Sequence, residues 1–219
     1  MMPSGQDYTL RISEIFASLQ GESTRVGLPT VFVRLTGCPL RCVWCDTEYA
    51  FRGGENLDLE MIVSDVAEYA LRYVCVTGGE PLAQAACPAL LTALCDAGHS
   101  VSLETNGAFD ISGIDPRVSR IVDLKAPGSG QSEHNRYENI QHLNAQDEVK
   151  IVLADEDDYL WARQQISSLG LAERCPVLLS PVVGRLDPAR LAEWIVRDRL
   201  PVRFQLQLHK VLWQNARGC

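Results

Sequence analysis

Cys38-Pro39-Leu40-Arg41-Cys42-Val43-Trp44-Cys45 contains three cysteines in the spacing Cys-x3-Cys-x2-Cys, and Asp46 and Thr47 follow it directly. Three thiolates at this spacing can each bind one iron of a four-iron cluster, which leaves the fourth iron without a protein ligand. Ferredoxin-type electron carriers hold such clusters with four protein thiolates. A cluster held by three is therefore not a finished electron carrier, because its open iron can bind a ligand from solution.

Structural zinc is the alternative interpretation of these thiols. Zinc usually takes four ligands, and Cys42 and Cys45 could supply one pair of them. The sequence offers no second Cys-x2-Cys pair and no His-x3-5-His pair. A disulfide framework is disfavoured because residues 1–10 lack the basic start and apolar run of a signal peptide. We therefore expect a cytoplasmic protein in which clustered thiols stay reduced and bind iron.

Length and composition predict a single domain over residues 1–219. Hydrophobic residues make up 46% of the sequence. No apolar run approaches the roughly 20 residues that span a membrane. The net charge of -8 argues against a nucleic-acid partner, which would require a basic face. The remaining cysteines are expected to be small buried apolar side chains, namely Cys75, Cys87, Cys95, Cys175 and Cys219.

Alternating strand and helix patterns predict an α/β fold with a parallel sheet. Helical periodicity occurs at 59–70, 88–97, 159–169 and 187–195. Six or so repeats favour a partial (β/α)6 TIM-type barrel with short added strands at the termini, and a flat doubly wound sheet is the alternative. Short runs rich in Val, Ile and Leu predict the strands, at 10–17, 30–35, 73–76, 101–103, 120–124, 148–153, 177–179 and 202–208.

Unusual polar residues follow these strands at the points where the strands end. Because the carboxyl ends of parallel strands meet at one edge, α/β folds assemble their active sites there. This distribution predicts one catalytic mouth. Its members are Cys38, residues 77–81 (TGGEP), 104–106 (ETN), 123–125 (DLK), 180–181 (SP) and 209–210 (HK).

The same motifs carry a family resemblance over nearly the whole chain. They are residues 18–22 (SLQGE), 31–38 (VFVRLTGC), 45–47 (CDT), 77–81 (TGGEP), 104–107 (ETNG) and 204–210 (FQLQLHK). On these motifs the sequence resembles the 7-carboxy-7-deazaguanine synthase (QueE) family, a branch of the radical S-adenosylmethionine (SAM) superfamily. The cluster motif alone indicates only the superfamily.

The resemblance implies a [4Fe-4S] cluster on Cys38, Cys42 and Cys45 that binds SAM in a partial barrel of the radical SAM kind. Alternative interpretations stay open for three of the implied SAM contacts: Gly79 suits a tight turn, and Glu104 and Asn106 suit a turn or cap. Val182 and Val183 could offer only backbone groups. The implied SAM-binding residues are Trp44, Gly79, Glu104, Asn106, Asp123, Leu124, Lys125, Ser180, Pro181, Val182 and Val183.

The resemblance also implies Mg²⁺ on Thr47 and a small pterin substrate. Arg34 would pair with the substrate carboxylate, and its alternative is a surface ion pair. Thr47 could instead be a turn or cap hydroxyl, and His209 could be a satisfied histidine near the core. No general acid or base is assigned, and residues 211–219 are left outside the site. The implied substrate-binding residues are Leu19, Gln20, Gly21, Glu22, Arg34, Thr77 and His209.

The implied activity is conversion of 6-carboxy-5,6,7,8-tetrahydropterin to 7-carboxy-7-deazaguanine in the queuosine pathway. In the family, reductive cleavage of SAM starts a radical ring contraction that releases ammonia. An electron donor such as flavodoxin or ferredoxin and a homodimer are expected as partners. Three alternatives remain: a radical SAM activase acting on a protein, a zinc-stabilised binding module, and direct tRNA modification, which the net charge of -8 disfavours.

Overall fold

The computed structural model describes residues 8–214, 216 and 218. Its helices are α1 (Leu59–Glu68), α2 (Cys87–Asp96), α3 (Glu156–Ser168), α4 (Pro188–Asp198) and α5 (Leu208–Trp213). Its strands are β1 (Thr9–Leu19), β2 (Pro29–Leu35), β3 (Glu55–Asp58), β4 (Tyr73–Gly78), β5 (Ser100–Thr105), β6 (Ser119–Asp123), β7 (Glu148–Leu153), β8 (Val177–Pro181) and β9 (Arg203–Phe204).

One sheet contains all of these strands, in the order β3-β1-β2-β4-β5-β6-β7-β8-β9. Each neighbouring pair along β2-β4-β5-β6-β7-β8-β9 is parallel. β1 is antiparallel to both of its neighbours, β2 and β3. The predicted α/β class and the added strand near the amino terminus are therefore confirmed.

The two faces of the sheet differ in character. Along β2, Val31, Val33 and Leu35 belong to one apolar core, which also includes side chains from α1, α2, α3 and α4. A doubly wound sheet would carry helices on both faces, so the shared core argues against that alternative. Successive side chains of a strand point to opposite faces, so Phe32 and Arg34 lie on the other, inner face. That face is rich in polar groups.

The segment of residues 20–25, which follows β1, lies across this inner face. Gln20 donates to Glu104 of β5, and Thr24 donates to Glu148 of β7. Ser23 donates to Gln205, which follows β9. These contacts join strands up to four positions apart through a few residues, which indicates that the sheet curves around the segment. Within the described residues β3 pairs only with β1 and β9 only with β8, so the barrel is partial.

The predicted last strand, 202–208, is wrong in extent. β9 is only Arg203–Phe204, and Leu208 begins α5, so His209 and Lys210 are helical. The alternating pattern is real, because Gln205 and Gln207 are buried while Leu206 is exposed. The buried side chains bond to the 20–25 segment instead of extending a ladder. β3 was not predicted, since its sequence ENLD carries no strand signal.

The buried-cysteine prediction is confirmed for Cys75, Cys87, Cys95 and Cys175, which are free thiols in the core. Cys219 lies outside the described residues. A search of the described chain finds no helix with the length and apolar character required to cross a membrane.

Arg120 and Asp147 form a buried ion pair that tests the packing at the start of β6. The guanidinium donates to both carboxylate oxygens, at 3.0 and 2.6 Å, and also to the His142 carbonyl. Arg120→Met leaves Asp147 buried without its cation, so the free energy of unfolding should fall by about 3–5 kcal/mol. Urea denaturation measures the loss. Arg117→Met, which breaks an exposed pair with Asp115, should change it little, and equal losses in both variants would contradict this account.

Candidate active site

The three predicted cluster ligands lie in the loop that follows β2, residues 36–47, hereafter the cluster loop. Its start is tied by the Gly37 N–H to the Ala50 carbonyl at 2.7 Å. Arg41 folds back and donates to the carbonyls of Cys38 and Leu40, both at 2.7 Å. The thiols of Cys38, Cys42 and Cys45 are free and half-buried. The loop therefore presents three sulfur ligands on a backbone that its own arginine supports.

The glycine turn after β4 packs directly against this loop. The Gly79 N–H donates to Leu35 at 3.0 Å, and the Glu80 N–H donates to Gly37 at 2.7 Å. A Cβ atom on Gly79 would collide with the Gly37 carbonyl and crowd Cys38. The predicted turn role of Gly79 is thus present, and the same contact sets the position of the first cluster cysteine.

Glu80 connects the turn to the end of β5, although the sequence analysis gave it no role. Its buried carboxylate accepts from the Thr105 hydroxyl at 2.8 Å and from the Asn106 N–H at 2.7 Å. Burial raises the pKa of Glu80 above its usual range, against the opposing effect of these hydrogen bonds. The Asn106 side chain in turn reaches Cys38, with Nδ2 at 3.9 Å from the sulfur. Glu80 therefore positions Asn106, which contacts the cluster loop at Cys38.

The donor set fits an iron–sulfur cluster. Burial raises the pKa of the Cys42 and Cys45 thiols, and the charge of Lys125 opposes that shift at Cys42. Metal binding requires thiolates, so a nearby cation favours it. Over residues 8–214, no three His, Cys, Asp or Glu side chains converge on a point that could hold one metal ion. A four-iron cluster does not need such a point, because each cysteine binds a different iron.

Two groups of residues implied for SAM binding end or follow β6 and β8. Asp123 pairs with Lys125 at 3.0 Å, and both act electrostatically on Cys42. Ser180 of β8 is fully buried, and its hydroxyl has no hydrogen-bond partner among the described residues. A buried hydroxyl without a partner suits a ligand that supplies one. Arg185 lies over the Trp44 ring, 5.7 Å from its centroid.

Some of the implied SAM contacts can use only their backbone. The side chain of Leu124 belongs to the apolar core, and Val182 and Pro181 are buried. Val183 is exposed. Val182 and Val183 could therefore contact SAM only through backbone groups, as expected, and the same holds for Leu124.

The inner face brings most of the implied substrate residues together. Arg34 of β2 lies opposite Thr77 of β4 in the strand register. Thr77 donates to Glu104 at 2.9 Å, and the same carboxylate accepts from Gln20 at 3.4 Å. Glu104, which the resemblance implies for SAM, therefore lies among residues implied for the substrate.

Arg34 is not a surface residue, since its side chain is only 16% exposed. Its Nε donates to Glu14 at 2.7 Å, and Phe16 and Tyr49 lie within 6 Å of the guanidinium carbon. Tyr49 also donates to Glu14, at 2.8 Å. Within residues 8–214 neither Nη nitrogen of Arg34 has a hydrogen-bond acceptor. Its terminal nitrogens can therefore form the two-pronged pair that a carboxylate accepts.

The first turn of α5 lies against the 20–25 segment. The Leu208 N–H donates to the Gly21 carbonyl at 2.9 Å, and Gln207 donates to Glu22. A Cβ on Gly21 would collide with the His209 ring. Gly21, Glu22 and His209 are thus neighbours. Leu19 differs, because it lines a separate groove of about 360 Å³.

Thr47 lies at the end of the cluster loop beside two charged residues. Its hydroxyl donates to Asp46 at 2.9 Å, and Asp46 pairs with Lys210 of α5 at 2.8 Å. Burial would raise the pKa of Asp46, but the charge and hydrogen bond of Lys210 lower it to about 2. Thr47 makes no side-chain capping bond to the turn Glu48–Phe51. Two adjacent oxygen ligands of this type suit Mg²⁺.

Comparison with known proteins identifies the family. The profile of the Radical SAM superfamily matches residues 32–125. A 7-carboxy-7-deazaguanine synthase of Chlorobaculum tepidum is 49% identical over 213 residues, which cover 95% of this chain and 97% of that protein. The chain belongs to the 7-carboxy-7-deazaguanine synthase family. A second family member, from Koribacter versatilis, is 39% identical over 93% of this chain and 97% of its own.

Solved structures support the same fold. The crystal structure of QueE from Escherichia coli superposes with a TM-score of 0.74 at 23% identity and covers 92% of this chain and 95% of that chain. Streptococcus suis SuiB bound to SAM gives a TM-score of 0.55 at 13% identity, over 82% of this chain and 51% of that chain. The partial barrel predicted from the strand and helix pattern is therefore that of radical SAM proteins.

Gly79→Ala tests the packing of the glycine turn on the cluster loop. The added Cβ should displace Gly37 and Cys38, so the reconstituted protein should retain much less iron and sulfide per chain and lose visible cluster absorbance. Gly113→Ala is the matched control, because a Cβ there meets no atom within 4 Å. Full cluster content in the Gly79 variant would refute the proposed contact.

Proposed function

We propose that this protein is a single radical SAM domain that converts 6-carboxy-5,6,7,8-tetrahydropterin to 7-carboxy-7-deazaguanine with loss of ammonia. Membership of the synthase family supports the reaction. The observation that carries the assignment to these residues is the inner-face group Gln20, Arg34, Thr77 and Glu104, which the β2–β4 register and two hydrogen bonds to the Glu104 carboxylate bring together. The group offers a cation, an amide and a carboxylate to one small polar molecule.

Cys38, Cys42 and Cys45 would hold the [4Fe-4S] cluster. When bound, the cluster and SAM supply the one-electron chemistry that initiates the ring contraction. The chain contributes the thiolates, the Asn106 amide beside Cys38, and the Ser180 hydroxyl. Glu80 keeps Asn106 in place through its backbone bond.

Arg34 would bind the substrate carboxylate through its two Nη nitrogens. Glu14 holds the guanidinium by its Nε, and the flanking Phe16 and Tyr49 rings limit its rotation. Glu104 and Gln20 would bind the pyrimidine part of the ring, where the pterin has donors and acceptors side by side. His209 and Glu22 border the same space through Gly21 and Gln207. The substrate is thereby oriented from three sides before any bond changes.

Thr47 would bind Mg²⁺, with Asp46 as the adjacent oxygen. Lys210 keeps Asp46 ionised at neutral pH, since it lowers the pKa of that carboxyl to about 2. Mg²⁺ prefers oxygen ligands and retains sites for water or substrate oxygens. The ion would therefore join the cluster loop to the substrate.

The proposed partners are a one-electron donor such as flavodoxin or ferredoxin, the pterin, and a second copy of the chain in a homodimer. These carry over from the family resemblance. A cytoplasmic location is supported by the described cysteines, which are all free thiols, as a reducing compartment requires.

Product formation under strict anaerobiosis tests the function. Reconstituted protein receives SAM, a reductant, Mg²⁺ and 6-carboxytetrahydropterin, with detection of 7-carboxy-7-deazaguanine by mass and ultraviolet absorbance. Product should form with the native chain and be absent with Cys42→Ala, which lacks one cluster ligand. A cluster-loaded protein that cleaves SAM and leaves the pterin intact would overturn the proposal and favour an activase.

Arg34→Met tests the carboxylate contact. Losing a charge-assisted pair of about 1.5–3 kcal/mol should raise the KM for the pterin about 10- to 100-fold, while the affinity for SAM stays unchanged. Steady-state kinetics and SAM binding measure the two effects. The double variant Glu14→Gln/Arg34→Met controls for the carboxylate left unpaired, and should show the same KM. A native KM in both variants would refute the contact.

A further inference from the structure

Lys150 is a buried charged residue of the inner face that contacts two carboxylates, and the proposed function gives it no role. It lies on β7, and its Nζ is 2.5 Å from Glu22 and 3.5 Å from Asp123. Asp123 pairs in addition with Lys125 at 3.0 Å. The four side chains form one chain of alternating charge, Glu22–Lys150–Asp123–Lys125, and each is less than a fifth exposed. We call this set the charge relay.

The two ends of the charge relay belong to different subsites. Glu22 lies in the 20–25 segment, beside the residues that would bind the pterin, and Gln207 holds its other oxygen. Asp123 ends β6 and Lys125 follows it; both act electrostatically on Cys42 and are among the residues that would bind SAM. Lys150 is the only member that contacts both carboxylates of the relay. It therefore lies between the subsites rather than within either of them.

The two contacts of Lys150 are unequal. One ammonium group serves Glu22 at hydrogen-bond distance and Asp123 at the longer distance of an ion pair. The two carboxylates share the single positive charge of this ammonium group. Glu104 also acts on it electrostatically and adds a third negative charge nearby. A ligand that donates to Asp123 weakens the longer contact of that carboxylate with Lys150, so the shorter contact between Lys150 and Glu22 becomes stronger.

We propose that Lys150 is a positioning residue that couples SAM binding to pterin binding. This inference rests on the proposed function. Polar groups of SAM that donate to Asp123 would weaken its contact with Lys150 and so strengthen the bond that Lys150 already forms with Glu22. Glu22, which Gln207 also holds, would then be held more firmly on the pterin side of the inner face. Coupling between two ligands is reciprocal, so bound pterin strengthens SAM binding by the same factor.

SAM affinity with and without the pterin tests the coupling directly. Anaerobic equilibrium dialysis of the cluster-loaded protein, without reductant so that no turnover occurs, gives the dissociation constant of SAM in each condition. Coupling of ordinary size changes affinity about 5- to 150-fold. The native protein should bind SAM at least about 5-fold more tightly with 6-carboxytetrahydropterin present. Lys150→Met should reduce this ratio to about one, as expected for uncoupled sites.

Two further variants separate coupling from folding. Glu22→Gln/Lys150→Met removes one charge of each sign, so it avoids an unpaired buried carboxylate, and it should also show a ratio near one. Lys150→Arg keeps the cation and should restore part of the ratio. Arg163→Met, which breaks an ion pair between α3 and α4, is the control for loss of a positive charge and should keep the native ratio.

The outcomes distinguish this inference from the proposed function. A native ratio in either Lys150→Met or the charge-matched double variant overturns the coupling and leaves the synthase assignment intact. A native protein that binds SAM but not the pterin overturns both. A ratio near one in the Lys150 variants, with native iron content and a native ratio in Arg163→Met, supports the coupling.

Discussion

Buried charges on the inner face of the sheet must be neutralised in place, and this requirement organises the site. A charge removed from water is tolerated only beside an opposite charge or several hydrogen bonds. Arg34 therefore lies against Glu14, Lys150 against Glu22, and Lys125 against Asp123. The pairs of Arg34 with Glu14 and of Lys150 with Glu22 join different strands or segments, so they set the relative positions of these elements as well as neutralising the charges.

The opposite face of the sheet packs against the apolar core, which stabilises the fold. Val31, Val33 and Leu35 of β2 pack into a core shared with the outer helices, while their alternate neighbours face inward. Apolar burial is the dominant favourable term in folding, so a single well-packed face can hold a sheet whose other face is reserved for ligands. The division explains why every strand of the inner wall can contribute a polar residue.

The sequence predicted features that depend on local pattern. The cysteine spacing, the glycine turn at 77–81 and the alternation of strands and helices all follow from neighbours along the chain. It could not predict that Lys150 lies between Glu22 and Asp123, since that contact depends on how far the sheet curves. The error at 202–208 has a similar origin. Gln205 and Gln207 keep a strand period but bond to a distant segment rather than to a neighbouring strand.

Glu80 shows a second kind of contact that sequence motifs do not predict. Its motif was recognised for its glycines, yet its carboxylate holds Thr105 and Asn106. The sequence around Glu80 does not indicate its hydrogen-bond partners, because they lie at the end of the neighbouring strand β5. The ion pair of Asp46 with Lys210 was likewise not predicted, since its members lie 164 positions apart in the sequence.

The contacts between Ser23 and Gln205 and between Glu22 and Gln207 span more than 180 positions. During synthesis the cluster loop emerges early, whereas the 20–25 segment gains these partners only once residues 205–207 have left the ribosome. Loop closure over such a distance is slow relative to local folding. Biogenesis is thus divided in time: the cysteines of the cluster loop are synthesised long before residues 205–207, and until then the 20–25 segment lacks the partners that hold it on the inner face.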